Sequence, residues 1–104
     1  MLIAIASTDG EKVNQHFGRA NRFFIYDILG ENKTLITVRE VEPLSTGDKQ
    51  HPFDPQRMAA VIDAVKDCAR IYCVKIGDRP KQELEKIGVS TVIETGPISS
   101  IIGE

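Results

Sequence analysis

Leu2-Ile3-Ala4-Ile5-Ala6 is an unbroken apolar run near the start of a 104-residue chain. A strand with one wet face alternates apolar and polar residues, so a run without alternation predicts a strand covered on both faces, at the centre of a sheet. Outward from it, residues 22–28 and 34–41 are rich in aromatic and β-branched side chains. Gly30-Glu31-Asn32-Lys33 between them supplies the reversal of an antiparallel pair.

Further along, Asp54-Pro55 is a helix start, with a side-chain acceptor followed by proline at the first helical position. Met58, Ile62, Val65 and Ala69 recur at helical spacing, with Val61 and Cys68 beside them, which predicts one long amphipathic helix. Residues 71–76 read as a buried strand, and Asp78-Arg79-Pro80 opens a short helix that runs to Ile87 and is stopped by Gly88. Residues 89–93 form the last strand, and Gly96-Pro97 begins a short terminal helix through Ile102.

The order of elements is β-β-β-α-β-α-β-α, with no internal repeat or linker, so residues 1–104 are expected to form a single domain. Right-handed crossovers place the fourth strand beside the first. Counting strands along the chain, the sheet order is then 3-2-1-4-5, a ribonuclease H-like α/β fold with a mixed five-stranded sheet and about three helices.

Composition removes several function classes. Hydrophobic residues make up 41% and charged residues 27%, the balance of a globular chain and not of a disordered one. The net charge is −2 without a basic cluster, which argues against a nucleic-acid partner. No apolar run approaches the roughly 20 residues that cross a bilayer, and Met1-Leu2-Ile3 opens into a strand without a basic leader, so no membrane is expected and a cytoplasmic location is. Cys68 and Cys73 are the only cysteines, too few for a disulfide framework or a four-thiolate zinc site. Both read as structural thiols lying toward the edge of the sheet opposite His16.

Two long connections, residues 7–21 and 42–54, exceed the usual ~4–6 residues and are where function is expected. If the first, third, fourth and fifth strands run alike and the second runs back, both connections emerge at the carboxyl edge, where ligands of open α/β sheets bind. The first connection holds Val13-Asn14-Gln15-His16-Phe17-Gly18-Arg19-Ala20. Here His16 is expected outside any helix or strand ladder, free to present its imidazole to a ligand.

Ile3-Ala4-Ile5-Ala6-Ser7, the His16-Phe17-Gly18 stretch, Phe23-Phe24-Ile25-Tyr26-Asp27 and, in the second half, Asp67-Cys68-Ala69-Arg70-Ile71-Tyr72-Cys73-Val74-Lys75-Ile76-Gly77 resemble the dinitrogenase iron–molybdenum cofactor-binding family. That family includes NifX, NafY and the C-terminal domain of NifB, and the resemblance spans nearly the whole chain. It implies a non-enzymatic carrier of the iron–molybdenum cofactor, or of its iron–sulfur precursor, among nitrogenase assembly proteins. The histidine of the motif, the family's proposed cluster contact, falls on His16, with Asn14, Gln15, Phe17, Gly18 and Arg19 shaping its loop.

Leu44-Ser45-Thr46-Gly47-Asp48-Lys49-Gln50-His51 departs from the Cys- and Gly-rich loop of many NifB relatives, and the chain lacks a radical-SAM cysteine triad. A carrier suits what remains, because lasting iron–sulfur sites use four thiolates, whereas a cargo meant for transfer needs few and exchangeable ligands. His51 is a second candidate ligand. Arg19, Arg22 and Arg79, with helix starts at Pro80 and Pro97, are expected to supply positive potential for an anionic cluster.

Two rival readings come from other classes. A metal-dependent nuclease needs converging carboxylates, but Asp9 and Asp27 are expected at opposite ends of the sheet. A small-ligand sensor or protein-interaction module remains the alternative, since no residue specifies molybdenum or iron.

Overall fold

The computed structural model describes residues 1–44 and 55–101. Its strands are β1 (Leu2–Ala6), β2 (Lys12–Val13), β3 (Arg22–Leu29), β4 (Asn32–Glu40), β5 (Arg70–Cys73), β6 (Ser90–Ile93) and β7 (Gly96–Pro97). Two α-helices, α1 (Pro55–Val65) and α2 (Asp78–Lys86), lie between β4 and β5 and between β5 and β6. Five strands form a mixed sheet in the order β4-β3-β1-β5-β6, and β2 pairs with β7 in a separate two-stranded ribbon. With the five long strands counted along the chain, that order reads 3-2-1-4-5.

β3 is antiparallel to β1 and β4, while β5 is parallel to β1 and β6. Four strands therefore run one way, and their carboxyl ends share an edge.

The apolar run of β1 is explained by cover on both sides. Ala4 and Ala6 join Met58, Val61 and Val65 of α1 and Leu84 of α2 in one buried cluster. Ile3 and Ile5 face the other way, into a cluster with Phe24, Ile28, Tyr72, Val13, Ile98 and Ile101. Side chains alternate between faces along a strand, so helices cover one face of the sheet and the β2–β7 ribbon with the turn after it covers the other. At the helix-covered face, Arg39 of β4 donates to both carboxylate oxygens of Asp67, at 2.6 and 2.9 Å, and to the Ala64 carbonyl at 2.7 Å. This ties the end of α1 to the outer strand.

Four expectations need correction. The terminal helix from Gly96-Pro97 does not form: the two residues pair with Lys12 and Val13, and only a 3-10 turn, Ile98–Ser100, follows. Ile98 and Ile101 are needed against the second face of β1, and the Ile98 N–H donates to the Glu11 carbonyl. The described residues thus hold two α-helices, not three. α1 stops at Val65, so Cys68 sits in the turn beyond it, its N–H donating to the Val65 carbonyl.

β5 ends at Cys73, because Val74 and Lys75 turn their backbone groups to the loop before β3. Cys73 therefore lies at the carboxyl edge, and only Cys68 is at the opposite one. Residues 7–21 are also less free than expected, as they contain β2 and the 3-10 turn Phe17–Arg19.

Both cysteines are buried, and burial pushes the Cys68 thiol up to about 12 and the Cys73 thiol up to about 11. A thiol reagent at neutral pH is therefore expected to label neither in the folded protein and both in denaturant. Above about pH 9, the ordinary thiol value, only the unfolded chain releases these protons, so stability should fall as pH rises from there toward 11–12. Urea titrations across that range check the sign.

Gly10 has φ +74°, and a Cβ there would lie 2.9 Å from Phe24 Cε2. Gly10→Ala combines left-handed strain with overpacking and is expected to cost roughly 2–3 kcal/mol in a denaturant melt.

Candidate functional site at the carboxyl edge

The loop after β1 begins with a built turn. Ser7, 1% exposed, accepts at Oγ from the N–H groups of Asp9 and Gly10. Asp9 Oδ1 accepts from the Glu11 and Lys12 N–H groups, which hold this carboxyl below its usual range. Asn14 closes the turn, its Oδ1 accepting from the Thr8 N–H at 2.9 Å and its Nδ2 donating to Thr8 Oγ1 at 2.8 Å.

The chain then crosses from one face of the sheet to the other. Val13 is buried in the ribbon-side cluster and Phe17 in the helix-side cluster, its ring 5.7 Å from that of Phe23. His16 lies at the crossing, in extended conformation with φ −69° and ψ 142°. The bonds on either side of it fix its place: Val74 N–H donates to the Gln15 carbonyl at 3.0 Å, and Phe17 N–H donates to the Lys75 carbonyl at 2.8 Å. Its own side chain is left exposed.

A concavity of about 340 Å³ opens beside that imidazole, lined by His16, Gly18, Arg19, Lys75, Ile76 and Gly77. Two of these residues are cationic and none is acidic. Gly77 is also the N-cap of α2, but Asp78 in the first turn of that helix sets a carboxylate against the positive end of its dipole. A larger concavity of about 620 Å³, beside Tyr26, Glu31 and Lys33, contains neither imidazole nor thiol. We take the smaller one as the candidate site on its chemistry.

Of the residues singled out from sequence, His16, Gly18 and Arg19 come together there. Asn14 spends its amide on Thr8, Gln15 contributes its carbonyl to the anchor, and Phe17 anchors the loop from inside the core. His51 lies outside the described residues. Arg79 lines a different concavity, between α1 and α2, and Pro97 starts no α-helix, only the 3-10 turn Ile98–Ser100. Arg22 opens β3, opposite Glu40 of β4 in register.

Lys75, Ile76 and Gly77 are the members that sequence reasoning left out of the site, and Lys75 is the charged one. The signal was its position just after a buried strand, at the edge already expected to hold the ligand. Cys73, two residues earlier, is fully buried among helix-side apolar residues and offers the hollow no thiolate. Among the described residues no group of three or more His, Cys, Asp or Glu side chains is placed to hold a metal ion. None of the helices described there is long and apolar enough to cross a membrane.

Comparison with known proteins agrees over the whole length. The family model described as "Dinitrogenase iron-molybdenum cofactor" matches residues 1–104. The FeMo cofactor biosynthesis protein NifB of Klebsiella pneumoniae is 32% identical over 105 residues, covering 97% of this chain and 22% of NifB. Protein NifX of the same organism is 33% identical over 89 residues, covering 86% of this chain and 53% of NifX. The chain thus spans about half the length of NifX and about a fifth of NifB. The crystal structure of PH0822 superposes with a TM-score of 0.68 at 30% identity, covering 95% of this chain and 84% of that one. The chain belongs to the dinitrogenase iron–molybdenum cofactor family.

Proposed function

We propose that this chain binds an anionic iron–sulfur-type metallocluster, the iron–molybdenum cofactor or its precursor, and passes it to nitrogenase assembly proteins without catalysing a reaction. The observation that carries this reading is the exposed imidazole of His16, beside a hollow whose rim bears Arg19 and Lys75 and no carboxylate. His16 is the metal ligand. The two cations offset the negative charge of the cargo.

Family membership and the names of NifB and NifX support the cargo's identity. The donor set fits transfer better than storage: clusters that stay are held by several thiolates, and here one imidazole faces the hollow. A single exchangeable bond, strengthened by diffuse charge, lets a partner with more ligands take the cluster. We place this exchange in the cytoplasm, on a ribonuclease H-like domain.

The test is anaerobic mixing with isolated cofactor or precursor, followed by gel filtration and metal analysis. His16→Ala is expected to retain at least about tenfold less iron than wild type. Equal retention by both proteins would remove His16 from the role, and no retention by either would favour a small-ligand sensor.

The cations should behave differently from the imidazole. Arg19→Ala combined with Lys75→Ala is expected to weaken retention about tenfold at low ionic strength, with the gap narrowing as salt screens the charges. Titration of bound iron against salt reads the effect.

A further inference from the structure

β4 is a nine-residue edge strand bonded to β3 on one side, and among the described residues no strand lies beyond it. Long edges are usually protected by charges or bulges, because their free N–H and C=O groups are a template for further pairing. β4 has one bulge, but its centre is apolar and not charged. Leu35, Ile36 and Val38 are 51%, 53% and 41% exposed.

The register of β4 carries the argument further. Tyr26 pairs with Leu35 and Ile25 with Thr37, so Ile36 is an extra residue in a bulge. Lys33 and Leu35, before the bulge, oppose Ile28 and Tyr26; Val38 and Glu40, after it, oppose Phe24 and Arg22. Phe24, Tyr26 and Ile28 all belong to the ribbon-side cluster. Lys33, Leu35, Val38 and Glu40 therefore share one face of the sheet, which a regular strand with this spacing would not allow.

That arrangement is self-complementary. In an antiparallel pair of identical strands related by a two-fold axis between Ile36 and Thr37, Leu35 faces Val38 of the other copy and Lys33 faces its Glu40. Symmetry repeats each contact. In a regular strand, the two-fold centred on Ile36 would set Lys33 against Arg39, a like-charge clash. Arg39 is turned to the opposite face and engaged with Asp67, and in the shifted register it faces Thr34 of the other copy instead of Lys33. Lys33 donates once, to the Ser99 carbonyl, and its ammonium has further N–H groups for a carboxylate.

We propose that β4 pairs antiparallel with β4 of a second copy of this chain, in the register Lys33–Glu40 and Leu35–Val38, joining two five-stranded sheets into one. The inference is independent of what the His16 hollow binds. Its basis is charge complementarity at the ends of the strand and exposed apolar matching at its centre.

Sedimentation equilibrium of the full chain, from micromolar to near-millimolar concentration, tests it. Wild type is expected to show a reversible monomer–dimer equilibrium. Lys33→Glu and Glu40→Lys each set like charges together twice and should raise the dissociation constant at least about tenfold. The double variant, Lys33→Glu with Glu40→Lys, should return it to within about threefold of wild type, and Leu35→Lys should leave a monomer. Circular dichroism and thermal melts of each variant separate loss of pairing from loss of fold. A wild type that stays monomeric throughout overturns the proposal, as does a dimer indifferent to the single swaps or one not restored by the double swap. A complex of wild type with a peptide strand in place of a second copy is likewise a contrary result.

Discussion

Everything in this molecule follows from the need to keep both faces of β1 dry. Ile3, Ala4, Ile5 and Ala6 are each fully buried, and two helices can screen only one side of the strand. The other side is screened by local chain with little regular structure: Val13 from the loop after β1, and Ile98 and Ile101 from the segment after β6. Each fully buried isoleucine represents about 2 kcal/mol of apolar transfer, so drawing the loop onto the sheet has a sufficient driving force.

That demand also places the proposed ligand residue. Val13 must lie on the ribbon side and Phe17 on the helix side, so the three residues between them have to climb over the carboxyl edge. His16 occupies the passage. Its exposure results from two neighbours with opposite burial requirements, and so does its nearness to Lys75, since the strand below has to offer its backbone to the crossing chain.

The sheet was legible because its signals are local: unbroken apolarity in β1, β-branched runs in β3 and β4, and the stop at Gly88, whose φ is +83°. The stripe of α1 was also visible but overran its end, since Cys68 and Ala69 continue the helical spacing in a turn. The ribbon was not legible. Two-residue strands such as Lys12–Val13 and Gly96–Pro97 have no periodicity to detect, and they exist only because tertiary contact brings the segments together. For the same reason His16 and Arg19 were found as a motif, whereas Lys75 joined them through a backbone contact that spans about sixty residues.

The two amide bonds that straddle His16 have one more consequence. They set the torsions of its main chain and leave only the rotations of the ring free. Capture of the proposed cargo would then still little more than that ring, and its release would need no refolding of the strap.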